Sequence, residues 1–246
     1  MSGVVASDLL SYAGYTLEAG LLVYLVVRGY ARPLWELAFY LGMSLGVAGA
    51  RTFTLARYGL TSPQYGNCYW TTDLLLVLAA FVLVASFFRR ACSHNQEMWH
   101  FVRLLLGTVL IAITIVSYFS LSNHHGKFFS FFIVEFSQNL YFASLVLTTL
   151  LYLMTLKMDI ADERLGMLVC GLGIEFAGPA AGLALIYLSG GAEISHVIGV
   201  YFFPLCDIGM ILTWFYAISR VPGPANAPRR VVDGTPAFAR GNISHF

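Results

Sequence analysis

Seven stretches of about 20 apolar residues, near 8–28, 34–56, 69–88, 101–121, 129–156, 165–188 and 194–219, decide what this chain can become. Coiled as a helix, a stretch of that length covers the roughly 30 Å of hydrocarbon in a bilayer. A membrane β-barrel needs segments of about 10 residues that alternate apolar and polar. LLLVLAAFVLVASFF (74–88) and LLLGTVLIAITIV (104–116) do not alternate. Only 11% of the residues are charged, against roughly 25% in soluble domains. The expected fold is therefore an all-α membrane protein, a bundle of seven transmembrane helices over 1–220.

Basic residues orient such a bundle, because cytoplasmic loops retain Lys and Arg. If the loops alternate, Arg28, Arg32, Arg89, Arg90, Arg103, Lys157, Arg164, Arg220, Arg229, Arg230 and Arg240 fall on one side. Arg51, Arg57 and Lys127 fall on the other. This asymmetry predicts the N-terminus outside and the C-terminus in the cytoplasm. The net charge of +1 conceals it, and nothing in the distribution points to nucleic acid.

Residues 221–246, VPGPANAPRRVVDGTPAFARGNISHF, are rich in Pro, Gly and Ala without apolar periodicity, so a disordered cytoplasmic tail is expected. The tail resembles no output domain, so a signalling role requires a partner protein in the cytoplasm or the membrane. Met1 to Asp8 has no basic residue, so no cleavable leader is expected. Of four cysteines only Cys68 falls outside, which argues against an external disulfide. The acids of helices one and five, and of three and seven, recur at unequal offsets and give no internal repeat. GxxxG pairs at Gly42 and Gly46, and at Gly178 and Gly182, with Gly171 on the latter face, are expected to pack helices inside the bundle.

Ionisable side chains inside the bilayer cost several kcal/mol and are rare without a use. This chain places Glu18, Arg51, Asp73, Glu135, Glu175 and Asp207 between the centre and the outer surface. Helical spacing adds Ser11 and Tyr15 to the face of Glu18, Tyr69 and Trp70 to the turn before Asp73, and Gln138 and Asn139 to the face of Glu135. If all these stripes point inward, they enclose an outer polar cavity rimmed by Tyr and Trp. Pro179 lacks the N–H that the carbonyl of Glu175 needs, and Pro204 does the same to Val200. Freed carbonyls of this kind are tolerated where water or a ligand meets them. One Arg leaves four of the five carboxyls uncompensated, so protons, water or a cationic ligand must serve the rest.

Several chemistries are struck out. Lys127 and Lys157 are the only lysines, which removes a retinal Schiff base in helix seven. HExxH, GxSxG, GxGD and GKS/T motifs are absent. His124, His125 and His196 fall near the outer surface and His94 and His100 near the inner one, with no mid-membrane pair for haem. No metal and no cofactor is expected.

At RTFTLARYG (51–59), CYWTTD (68–73), VEFSQN (134–139) and GIEFAG (173–178) the chain resembles an uncharacterised group of bacterial seven-helix membrane proteins. That group shares an Arg near the end of helix two, a Tyr-Trp and acid at the start of helix three, and single acids in helices five and six. The resemblance implies a multi-pass protein of the bacterial inner (cytoplasmic) membrane and the same polar cluster. PLWELAF (33–39) and CDIGMILTWFYAI (206–218) resemble segments of integral-membrane terpene cyclases, which implies Glu36 and Asp207 as proton donors. The position of Glu36 at the cytoplasmic start of helix two, far from Asp207, opposes that pairing.

Three functional expectations follow. The first is a sensor or receptor-like module that binds a small molecule, cation or proton in the outer cavity. The second is a membrane enzyme acting on a lipid or isoprenoid, with Glu175 or Asp207 as general acid. The third is a proton- or cation-coupled transporter, which the lack of acids in the inner half of the helices disfavours.

Overall fold

The structure, a computed structural model, describes residues 2–93, 95–121, 128–157, 162–189 and 201–220. Among the described residues it has no strand and seven helices: α1 Ser2–Val27, α2 Trp35–Tyr58, α3 Pro63–Ala91, α4 Gln96–Leu121, α5 Phe128–Lys157, α6 Glu163–Ser189 and α7 Phe203–Arg220. Five of them, over Leu9–Val27, Pro63–Ala91, Gln96–Phe119, Phe132–Lys157 and Glu163–Gly182, are long and apolar enough to cross a bilayer. The chain is a multi-pass α-helical membrane protein. α2 and α7 fall outside those five: α2 carries Glu36, Arg51 and Arg57, and α7 carries Asp207 and Arg220.

Most helix ends lie within a few residues of the apolar stretches. α3 and α4 begin earlier than hydropathy alone predicts, because capping rather than apolar content starts them. The Ser62 side chain accepts from Tyr65 N at 3.1 Å, with Pro63 in the first helical position. Asn95 Oδ1 accepts from Met98 N at 3.1 Å before α4, and Asp162 Oδ1 accepts from Leu165 N at 3.2 Å before α6. Gly59 ends α2 with φ 78°, a left-handed conformation that costs a glycine little, and its N–H donates to Leu55 O at 2.9 Å. Residues 190–200, which include the expected first part of helix seven from 194, lie outside the described residues, as does the tail. Residues 201–202 are π-helical and run directly into α7, whose second residue is Pro204; Val200, whose carbonyl was expected to lose its bond there, lies outside the described residues.

Neighbours in the chain are neighbours in space, as short connections require. α1 packs on α2 and α7, α2 on α3, α3 on α5, α5 on α6, and α6 on α7, which closes a ring. α4 lies outside that ring against α3 and α5. The closest seam joins α6 to α7. A Cβ added at Gly171 would lie 2.5 Å from Trp214 Nε1, and one at Gly178 would lie 2.7 Å from Cys206 Sγ. The glycines let Trp214 enter fully buried and donate to Leu168 O at 2.9 Å. Gly42 and Gly46 have nothing within 4 Å of an added Cβ. The expectation that this second GxxxG pair packs inside the bundle is therefore corrected: it faces outward.

Contacts gather the connection after α1, the end of α3 and the start of α6 at one end of the bundle. Arg90 there donates to Glu36 Oε2 at 2.9 Å and to the carbonyl of Pro33, and Arg164 lies 5.1 Å over the Tyr30 ring. Arg51, Tyr69 and Asp73 come together towards the opposite end of α2 and α3.

Candidate functional site

A cavity of about 200 Å³ opens between α1, α2, α6 and α7. Ser11, Tyr15 and Glu18 line it from α1, at successive spacings of four and three that put them on one face. From α2 come Tyr40, Ser44 and Arg51, and from α6 and α7 come Glu175, Pro204 and Asp207. Tyr15 is 42% exposed and Glu18 only 5%, so the cavity deepens along α1 from one to the other. Ser44 of α2 lines the cavity together with Glu18.

Glu175 of α6 and Asp207 of α7 line the same cavity from the two sides of the α6–α7 seam. Two carboxylates that share one buried cavity repel unless a proton or a cation lies between them. Glu175 Oε2 is buried with no hydrogen-bond partner. The pair therefore retains acceptor capacity that the described residues leave unused. Tyr40, 3% exposed, lines the same cavity as Glu18, Glu175 and Asp207.

Arg51 is secured from the α3 side. Its Nε donates to Thr72 Oγ1 at 2.9 Å, and Nη2 donates to the Tyr69 carbonyl at 3.3 Å and to Asp73 Oδ1 at 3.4 Å. The guanidinium also sits 4.2 Å above the Tyr69 ring, and Trp70 meets that ring edge-on at 5.2 Å. Its charge is thus matched by Asp73 before any cavity acid is counted. Glu18, Glu175 and Asp207 have no basic partner among the described residues. No three His, Cys, Asp or Glu side chains among those residues are placed to hold a metal ion.

The residues proposed from sequence thus divide into three sets. Tyr15, Glu18, Arg51, Glu175 and Asp207 line the cavity. Tyr69, Trp70 and Asp73 form the wall behind Arg51 rather than the lining. Glu135, Gln138 and Asn139 are not on the lining: Gln138 is exposed, and Asn139 donates to Ser117 of α4 at 3.3 Å, on the far side of α5. The expectation that the α5 stripe turns inward is corrected on that point. Tyr40 and Ser44 are lining residues that the charges alone did not reveal. Their signal was spacing, since Tyr40, Ser44 and Arg51 recur at intervals of four and seven on one face of α2.

The proton-donor pair implied by terpene cyclases does not assemble. Glu36 is engaged by Arg90 at the far end of α2, while Asp207 lines the cavity. Comparison with known proteins adds no family: no protein-family model, curated protein or solved structure matches the chain.

Proposed function

We propose that this protein is a receptor-like membrane module that binds a small organic cation in the cavity between α1, α2, α6 and α7. One observation carries the reading: three carboxyl groups, Glu18, Glu175 and Asp207, meet at one cavity where Arg51, the only lining base among the described residues, is already paired with Asp73. Burying carboxylates without counter-charge is costly, and a bound cation removes that cost. The volume suits a small amine, and Tyr15 and Tyr40 put aromatic groups in the lining, the kind that attract alkylammonium groups.

In this reading all seven helices span a bacterial inner membrane, with the N-terminus outside, the tail of 221–246 in the cytoplasm and the cavity opening outward. Eleven of the fourteen basic residues then lie on the cytoplasmic side. A partner protein receives the change that binding imposes on α6 and α7.

Titration calorimetry in mild detergent with methylammonium and tetramethylammonium tests the binding claim. Wild type should bind at least one of them, and Glu175→Gln/Asp207→Asn should bind at least about tenfold more weakly, a loss of ~1.4 kcal/mol. Equal affinities in the two proteins would remove the acid pair from the site.

A further inference from the structure

Hydroxyl groups inside helices ordinarily bond to their own backbone, and this chain follows that habit almost everywhere it can be seen. Thr16, Thr52, Thr54, Thr114, Thr149 and Thr213 each donate to the carbonyl four residues earlier. Ser137, Ser144 and Thr148 of α5 do not. They are 3%, 1% and 2% exposed, and their hydroxyl oxygens have no hydrogen-bond partner.

The three share one face of α5, together with Tyr141, at spacings of four, three and four. Asn139 points to Ser117 of α4, and the hydroxyl face lies roughly opposite it on the helix. Tyr141 meets Phe176 of α6 edge-on at 6.1 Å, so this face turns towards α6 and the interior of the ring. Phe176 follows Glu175 in α6, which sets Tyr141 one residue from a cavity acid. The seam thus starts beside the cavity acids, whose Glu175 Oε2 is the fourth buried oxygen without a partner. From Ser137 to Thr148 it runs about 16 Å along α5, half the thickness of the hydrocarbon. Three residues further on, Leu151 is fully buried.

Buried polar groups without protein partners are met by internal water, which needs polar contacts spaced along its path. We propose that the α5 seam holds a file of water that carries protons between the cavity acids and the opposite half of the membrane, with Leu151 as its gate. Each water accepts one proton and passes one on, and Glu175 regains from the cavity the proton it gives up. Nothing in the chain is consumed. The seam supplies the route through the second half of the bilayer that the distribution of acids lacks. It stands on the hydroxyls and not on the identity of the cavity's ligand.

Proteoliposomes containing a trapped pH-sensitive dye, with valinomycin and K⁺ to balance charge, measure the flux under an imposed pH gradient. Leu151→Ser should raise the rate of proton entry at least about tenfold over wild type. Adding Ser144→Ala and Thr148→Val to that variant should return the rate to the wild-type level. A Leu151→Ser rate no higher than wild type overturns the proposal, and so does a triple variant as fast as Leu151→Ser alone. If Leu151→Ser does not elute as a folded monodisperse protein, Leu151→Ala takes its place under the same two criteria. Methylammonium binding to Ser144→Ala/Thr148→Val should match wild type, so failure of the proton path and failure of the cation site register separately.

Discussion

Gly171 and Gly42 are the same residue type in similar helices, yet their surroundings give opposite expectations. At Gly171 a methyl group would collide with the indole of Trp214 and disturb its bond to Leu168. Gly171→Ala should therefore destabilise the protein by about 1–3 kcal/mol, the usual range for overpacking a tight contact. Gly42→Ala meets open space and should be neutral or slightly stabilising, because alanine is the better helix former. Thermal unfolding of both variants in one detergent checks the contrast, and equal shifts would mean that the α6–α7 seam is looser than described. The sequence distinguishes such positions poorly, since GxxxG reports only that a small face exists. The charged residues were more legible. Arg51 and Asp73 stand out because ionisable groups in apolar runs are costly, whereas Tyr40 and Ser44 pass as ordinary members of a membrane helix until Arg51 supplies a reference face.

At the scale of helices, apolar runs located all the described elements, and their faces were harder to read. Glu135, Gln138 and Asn139 form a polar stripe on α5, but period alone does not say which neighbour it meets. That depends on the ring order of the helices, which puts α4 on that side of α5. The start of α3 was missed for another reason: its first turns, QYGNCYW, are polar enough to hide a helix from hydropathy, although Ser62 and Pro63 are a capping pair. The tie between α2 and α3 follows the same logic of ends. Glu36 and Arg90 are partly exposed, at 12% and 31%, so the pair contributes at most about 1 kcal/mol. Glu36→Gln should lower stability by no more than that and leave methylammonium binding unchanged. Loss of binding in this variant would show that the far end of α2 reaches the cavity.

For the whole molecule, the fold explains why three isolated acids become one site. Glu18, Glu175 and Asp207 are more than 150 residues apart at the extremes, and only closure of the ring by α1 against α7 brings the first to the last. The proposed topology makes a separate expectation. A fluorescent protein that matures only in the cytoplasm should fluoresce when fused after Phe246, and an impermeant thiol reagent should reach Cys68 from outside intact cells once the other cysteines are replaced. A dark fusion, or Cys68 protected until the cells are opened, would invert the bundle and turn the cavity inward. The proposed function puts a small cation on the unpaired acids of the cavity. Its most direct measurement is mass spectrometry of what co-purifies in mild detergent with wild type and with Glu175→Gln/Asp207→Asn. A small cationic molecule should be retained by the wild type and absent from the variant. The same molecule at equal occupancy in both, or none in either, would contradict it.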